Sequence, residues 1–435
     1  MLFIRNAVTL HKIPRMKVLL VNTSESTGGA AIAAKRLMNA LDHSGIQAKM
    51  LVLHKTSSDN RVIAIPDTWK KKFFFLWERF IIWINNCFSR KNLFTISIAN
   101  AGFNITTLPE FQEADIIHLH WVNQGFLSLK GLQKILESGK PVVWTMHDMW
   151  PCTGICHHAR TCTNYQTECT QCQYLTCNHK TKDLSTSTFK KKNELLRKHQ
   201  VQFITCSKWL HQLASKSALF KGQNITAIPN PIDVNCFRPQ SQKEARERLG
   251  LPLNKNLILF GAVKPTDRRK GIDYMVEACQ ILKDRHPELT QECGIVIIGN
   301  QSNEIASLFP IQSYCLDYIS DIERIIDVYN AVDTYVTPSL EENLPNTIME
   351  AMTCGVPCVG FDIGGIPEMI SHLENGYVAK YRNAQDFADG IVWVLEKRRR
   401  NTLGKLARQK AENEYCEEQI AGKYANIYHQ LILNK

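Results

Sequence analysis

The stretch Pro338-Ser339-Leu340-Glu341-Glu342-Asn343-Leu344-Pro345-Asn346-Thr347-Ile348-Met349-Glu350-Ala351-Met352 decides how this chain is read. Before it, Ala331 to Thr337 reads as a strand; after it comes Cys354-Gly355-Val356-Pro357. A helix is expected to start near Pro345, because proline at a first helical turn gives up an N–H that has no intrahelical partner anyway. The helix start then offers the backbone N–H groups of Asn346 and Thr347 and the positive end of a dipole, which suits a phosphate. Glu342 precedes the helix, and Glu350 lies eight residues later within it. A carboxylate repels phosphate but accepts hydrogen bonds from hydroxyls. Two of them flanking a phosphate site suit a diphosphate with hydroxyl-bearing groups on both sides, the shape of a sugar nucleotide. Two glutamates at this spacing also fit an ordinary αβ unit with solvated side chains, so the rest of the chain has to decide.

Its 435 residues exceed one ordinary core and favour two domains. A hydrophobic content of 44% with 21% charged residues fits a globular protein. The formal charge of +11 favours an acidic partner: a nucleotide, a polyanionic substrate or an anionic membrane surface. No nucleic-acid-binding motif is present, so nucleic acid is not expected as a partner. No apolar run approaches the roughly 20 residues that span a bilayer. Met1 to Arg15 carries three basic residues and no acidic one, without the apolar core of an export signal. It reads as a disordered extension, or as an upstream start ahead of Met16. Without an export signal, the 15 cysteines read as thiols or metal ligands before disulfides.

Met16 to Asn22 reads as a buried parallel strand, followed by Gly28-Gly29 and the helical run Ala30 to Leu41. Strand, glycine turn, helix opens a doubly wound domain, although the three-glycine dinucleotide fingerprint is absent. After a second strand, Ala48 to His54, comes Lys70-Lys71-Lys72, then an aromatic run to Ile84, then Arg90-Lys91. As a helix, segment 70–92 has an apolar face of Phe73, Leu76, Trp77, Phe80, Ile81 and Ile84 with basic groups at its ends. It is too short to span a bilayer but suits an anionic membrane surface. A helix docked on its own domain is the alternative. Two strands end in histidines: Ala114 to Trp121 with His118 and His120, and Pro141 to Met146 followed by His147-Asp148. Ligands gather at the carboxyl ends of strands in open α/β sheets, which makes these histidines site candidates.

The loop 152–177 is dense in cysteine: Cys152, Cys156, Cys162, Cys169, Cys172 and Cys177, beside His157, His158 and His179. Cys169-Thr170-Gln171-Cys172 has the short spacing of structural zinc sites, and Cys156 and Cys162 would complete four sulfurs. A metal would order a loop poor in core-forming residues. Free or redox-active thiols and disulfides are the other readings.

A mixed segment near 238–255 marks the expected boundary, giving an N-terminal domain of 16–240, a C-terminal domain of 241–415 and a final helix in 416–435. The second half restarts with the strand Asn256 to Gly261. The loop after it holds Lys264, Asp267, Arg268, Arg269 and Lys270 before Gly271 and a helix. A basic loop at a strand's carboxyl end fits a diphosphate clamp; a solvated charge run is the alternative. The expected fold class is α/β, two doubly wound halves facing a cleft.

Gly28-Gly29, His118-Leu119-His120-Trp121, Thr145-Met146-His147-Asp148, Ile228 to Asp233, Arg269-Lys270-Gly271 and the opening stretch through Gly355-Val356-Pro357 occur in that order. With them the chain resembles the retaining family-4 glycosyltransferases of GT-B fold, from Met16 to Tyr428. The cysteine loop further resembles a bacterial subgroup of surface-polysaccharide assembly. The resemblance implies a nucleotide-sugar donor, UDP- or GDP-linked, and a glycan or lipid-linked acceptor. It implies a cytoplasmic location, peripheral on the inner face of the plasma membrane. It places Glu342 on the donor sugar's hydroxyls, Glu350 on the ribose, Arg269 and Lys270 on the departing diphosphate, and His147 beside the transferring sugar. It places Gly28, Gly29, Lys264 or Arg268, Asn346 and Thr347 around the donor. No cofactor is then needed for catalysis, since fixed cations replace a metal clamp. The final helix is expected to cross back to the N-terminal domain. One departure stands out: Leu344-Pro345 replaces the family's Phe-Gly, and Pro345 cannot donate a hydrogen bond. A GT-B sugar-nucleotide epimerase and a silent membrane scaffold are the competing functions.

Overall fold

The computed structural model describes residues 16–176 and 183–434. The expected extension 1–15, Cys177 and His179 fall outside the described residues. Two wholly parallel sheets form the frame. The first contains β1 (Lys17–Ser24), β2 (Gln47–His54), β3 (Val62–Ala64), β4 (Ile116–Leu119), β5 (Val142–Met146), β6 (Gln202–Thr205) and β7 (Asn224–Ala227). Its order is β3-β2-β1-β4-β5-β6-β7. The second contains β8 (Asn256–Gly261), β9 (Cys293–Ile298), β10 (Ser313–Leu316), β11 (Thr334–Thr337), β12 (Cys358–Phe361) and β13 (Gly376–Ala379). Its order is β10-β9-β8-β11-β12-β13. Both orders run outward and then switch direction beside the first strand of each half. At that switch point the loops after neighbouring strands part and leave a crevice.

The central strands are apolar on both faces because helices cover both. Val18, Leu19, Leu20 and Val21 are all buried, as are Ile116 and Ile117 beside them. β1 and β4 pair in the register Leu20–His118, which sets the carboxyl ends of both strands at the cleft.

The chain returns at its end. Ile232 N donates to Tyr415 O at 2.8 Å, and the helix Glu417–Leu433 starts one residue after Cys416. Ile420, Ala421, Tyr424 and Tyr428 on that helix enter the same core cluster as Val18, Leu20 and Leu37. The last helix therefore completes the N-terminal core, as expected.

The helix Trp69–Asn85 docks on the N-terminal core through Ile82, and Ile81, expected on the apolar outer face, packs against that core as well. Its buried residues are Glu78, Arg79 and Ile82. Glu78 Oε2 meets Arg79 Nη2 at 2.8 Å, and Glu78 Oε1 accepts from the backbone N–H of Ile98 and Ala99 at 2.8 Å each. Buried charges are tolerable only when paired and hydrogen-bonded in this way. Phe73, Leu76, Trp77, Phe80 and Ile84 face outward, between 40% and 50% exposed. Among the described residues no helix is long and apolar enough to cross a membrane.

Candidate active site

Two loops at the carboxyl ends of β8 and β11 build one wall of the cleft. The basic loop turns at Gly271, whose φ is +75° and whose absent Cβ would come within 1.8 Å of Pro338 O. Only glycine permits that approach. Leu340 N donates to Arg269 O at 2.8 Å and locks the two loops together. The result places Lys270 Nζ 2.5 Å from Glu342 Oε1. Arg269 folds back on Asp267, with Nη2 2.7 Å from Oδ2. Burial alone would raise the Asp267 carboxyl, but the hydrogen bonds from Arg269 outweigh it and hold the group below its usual range. Lys264 and Arg268 lie in the same loop, where Lys264 O accepts from Asp267 N and Arg268 O from Gly271 N, each at 3.0 Å. On the other side, Gly364 has φ +62° and its Cβ would reach Glu342 O at 1.9 Å, so the Glu342 backbone is seated between two glycine contacts.

The helix following this turn runs Asn346–Thr353 with Pro345 as its N-cap, so its start falls where the sequence places it. Thr347 Oγ1 accepts from Tyr335 OH at 2.9 Å. Glu350 is buried within the helix and accepts from Tyr329 OH at 2.7 Å. Its other oxygen accepts from Arg36 Nη2 at 2.6 Å, across the cleft. Burial and the neighbouring Glu350 push the Tyr329 hydroxyl well above its ordinary pKa, so it stays a donor.

Several further contacts cross between the halves. Asn346 Nδ2 donates to Gly29 O at 3.0 Å, and its Oδ1 accepts from Asn230 Nδ2 at 3.1 Å. Gly28 caps the first helix at φ +88° with open space where a Cβ would stand. Asn343 Nδ2 donates to His147 O at 3.1 Å, and Ser207 Oγ donates to Asn343 Oδ1 at 2.6 Å. Glu368 accepts from Lys208 N at 2.8 Å and Trp209 N at 2.6 Å, capping a helix of the opposite half. Arg160 Nε donates to Glu341.

The three histidines separate into two roles. His118 faces the returning helix: Nδ1 lies 2.7 Å from Tyr428 OH and Nε2 2.8 Å from Thr145 Oγ1, which itself meets Tyr424 OH at 3.0 Å. It is a tether for the C-terminal helix within the core. His147 is at the cleft, but its ring nitrogens point inward, Nε2 3.0 Å from His120 Nδ1 and Nδ1 3.5 Å from Cys206 Sγ. What His147 presents to the opposite half is its carbonyl oxygen. Burial holds His147 down at about 4 and His118 at about 3, so both are neutral imidazoles near neutral pH. Asp148, next along, binds Trp121 Nε1 at 2.8 Å, Trp150 N at 2.8 Å and His157 Nδ1 at 2.6 Å. Burial would raise its carboxyl, yet these partners, His157 foremost, bring it to about 2.

The zinc expectation is overturned. Among the described residues no group of three or more His, Cys, Asp or Glu is arranged to hold a metal ion. Cys156, Cys162, Cys169 and Cys172 are free thiols. Burial pushes Cys156 up to about 11 and Cys169 and Cys172 up to about 12, which keeps them protonated. Order comes from other groups. Buried Lys192 donates to Trp150 O at 2.6 Å and Thr153 O at 3.0 Å, with its ammonium 3.5 Å from the Trp150 ring centroid. Asp183 Oδ2 accepts from Cys172 N at 2.8 Å, and Ser217 Oγ donates to Cys152 O at 2.6 Å. The loop thus has the backbone satisfaction that a metal would otherwise support.

Arg36 and Asn343 carry cleft contacts that sequence reasoning left without a role. Asn343 stands in the quoted stretch, where its amide could have been weighed as a bridge. Arg36 offered one faint signal, a charge on a helix whose neighbours Ala33, Ala34, Leu37 and Met38 are all core.

Two family profiles match in tandem. Residues 27–235 match the profile described as Glycosyltransferase Family 4, and residues 241–412 match Glycosyl transferases group 1. A curated relative from Campylobacter jejuni, N,N'-diacetylbacillosaminyl-diphospho-undecaprenol alpha-1,3-N-acetylgalactosaminyltransferase, is 32% identical over 168 residues, 38% of this chain and 43% of that protein. The matched segments span between 40% and 59% of the curated relatives' lengths. Among solved structures, sucrose-phosphate synthase from Thermosynechococcus elongatus superposes with a TM-score of 0.68 at 19% identity, over 97% of this chain and 100% of that one. Anabaena HepE in complex with UDP-glucose does so with a TM-score of 0.62 at 16% identity, over 96% and 100%. At these identities the likeness speaks to the fold, which is GT-B.

Proposed function

We propose that this chain, related in its two halves to two glycosyltransferase families, moves a sugar from a UDP- or GDP-sugar to a lipid-linked or growing glycan acceptor. Surface-polysaccharide assembly is the setting, and the anomeric configuration is retained. The observation that supports this most is the wall in which Lys270 meets Glu342 at 2.5 Å, with Arg269 locked beside them by the Gly271–Pro338 approach. Cations and a hydroxyl acceptor stand together where a diphosphate would part from a sugar. The leaving diphosphate gains negative charge as the bond to the sugar breaks, so Lys270, Arg269 and one of Lys264 or Arg268 stabilise the transition state more than the ground state. Asn346 and Thr347 add backbone N–H groups at the helix start, and Gly28-Gly29 lets the donor approach the opposite backbone. Glu342 accepts from the sugar's hydroxyls. Glu350 takes the ribose, exchanging Arg36 for its hydroxyls. His147, neutral, lines the sugar once its ring turns from Cys206. With Glu342 given to the sugar's hydroxyls and Glu350 to the ribose, neither carboxylate is assigned as a nucleophile, and retention is assigned to same-face attack by the acceptor.

The acceptor reading draws on the Campylobacter relative, which is named for a diphospho-undecaprenol acceptor. It also draws on the helix Trp69–Asn85. Its outward aromatic stripe, with Lys70, Lys72, Arg90 and Lys91 exposed nearby, suits the inner face of an anionic membrane. The domain limits that go with this function are 16–240, 241–415 and a returning segment from 416. Thermal unfolding in the presence of a panel of UDP- and GDP-sugars tests the reading. One donor held about 100-fold above its Kd should add roughly 2.7 kcal/mol of stability. No stabilisation by any nucleotide sugar would leave the scaffold alternative, and interconversion of the donor without acceptor would leave the epimerase.

A further inference from the structure

Among the described residues the cysteine-rich loop has no metal site, yet it is heavily tied. One end is bound to the segment that follows the aromatic helix. Asn92 Nδ2 donates to Tyr174 O at 3.1 Å, Thr176 N to Asn86 Oδ1 at 2.6 Å, and Ser97 N to Ile155 O at 2.8 Å. The other end reaches the cleft. Tyr174 OH donates to His158 O at 2.6 Å and Gln173 Nε2 to Ala159 O at 2.9 Å, so the returning limb of the loop grips the two residues before Arg160. Arg160 itself has φ +53°, a conformation that costs a non-glycine residue energy and persists only where its surroundings fix it. Its guanidinium lies 5.7 Å from the Tyr174 ring centroid and donates to Glu341 of the opposite half.

Glu341 is the residue before Glu342. The turn it belongs to is held by its own half at Leu340, through Arg269 O, and at Asn343, whose carbonyl accepts from Gly365 N at 2.7 Å. From the N-terminal half it is held at Asn343 by Ser207 and His147 O, and at Glu341 by Arg160. We infer that Arg160 is a positioning residue: through Glu341 it sets the turn that aims Glu342 and Lys270 at the donor, and the cysteine-rich loop is the strap that carries it there. This rests on the proposed donor site. It gives the loop a task, and it joins the aromatic helix to the donor wall through one hydrogen-bonded segment. Arg160 is 49% exposed, so its ion pair adds little to global stability. Its removal therefore reads position rather than folding.

The test uses Arg160→Glu, Arg160→Lys, Glu341→Arg and the double reversal in the full chain. With the donor found by the thermal panel, Arg160→Glu should lower kcat on the order of tenfold or more, since a misplacement of about 1 Å can cost 10²-fold. KM for the donor should change far less. Arg160→Lys should recover part of kcat, and the double reversal should recover most of it. Amide hydrogen exchange over 340–345 should quicken in Arg160→Glu and slow again in the double reversal; this arm needs no donor. Unchanged kcat together with unchanged exchange in Arg160→Glu would overturn the assignment, as would a double reversal no better than the singles. Should the wild-type chain turn over no nucleotide sugar, the proposed function fails, and the exchange arm still decides whether the strap holds the turn.

Discussion

Two polar loops dominate this molecule, and they are built in opposite ways. In the stretch 341–350 the side chains work across space. Glu341, Asn343, Asn346 and Glu350 each contact a residue of the other half, and Glu342 meets Lys270. In the loop 152–176 most side-chain bonds end on the loop's own backbone: Asn164, Gln173 and Tyr174 donate to its carbonyls, Lys192, Asp183 and Ser217 reach in from outside it, and Arg160 is the residue that crosses to Glu341. The difference bears on the second loop, where residue type misleads: among the described residues its cysteines hold no metal. The carboxylates of the first stretch are each met by a donor of the protein, the arrangement that the proposed donor site would exchange for hydroxyls. Buried cysteines are small apolar side chains as readily as metal ligands, and spacing alone does not separate the two.

The sharpest break in that contrast is at Lys270. Lys270→Ala or Glu342→Ala should cut turnover of the identified donor by about 10²–10³-fold, the magnitude typical of losing one preorganised electrostatic group. Their melting temperatures should stay close to the parent's, because the pair sits on the rim of the cleft. Lys192→Met should do the reverse. It leaves the carbonyls of Trp150 and Thr153 buried without a donor, at a cost of about 2–5 kcal/mol by denaturant unfolding. A Lys192→Met protein as stable as the parent would show that the loop is ordered by something else.

Smaller effects sharpen the same picture. Replacing exposed Lys70 and Lys72 by glutamate should weaken binding to anionic vesicles on the order of 30-fold or more, at about 1 kcal/mol for each basic group near the surface. Flotation with neutral vesicles should change less. Acid stability follows from the buried histidines. The pKa values of His118, at about 3, and His147, at about 4, lie below the unfolded value of 6.5. The unfolded chain therefore binds protons first as pH falls, so stability is complete above pH 6.5 and declines toward pH 4. Melting temperature against pH should show that slope, and His118→Gln should flatten it.

Much of the fold was legible because the central strands of each sheet are buried on both faces and read as apolar runs, as in Val18 to Val21. β3, β10 and β13 were not read; each is an edge strand of three or four residues. Length is not the reason, since β4 and β11 also have four residues; those two are buried throughout, whereas β3, β10 and β13 are only partly buried. The helix Trp69–Asn85 shows a different limit. Periodicity located the stripe of Phe73, Trp77 and Phe80, but a stripe carries no sign for inward or outward. That was decided by Glu78, which finds Arg79 and two backbone N–H groups inside. At the site, Lys270 with Glu342 could be anticipated because each belongs to a local strand–loop–helix pattern. Arg36 with Glu350 could not, because the two residues are 314 positions apart and nothing local to either announces the other.

The most direct test of the donor wall is to follow a labelled sugar. The chain is incubated with each labelled UDP- or GDP-sugar and a lipid extract containing polyprenyl-diphosphate-linked glycans, beside Lys270→Ala. One donor should release its nucleoside diphosphate and pass label to the lipid fraction, with Lys270→Ala reduced to background. Label that stays on intact donor with every sugar, or a Lys270→Ala protein as active as the parent, would contradict it.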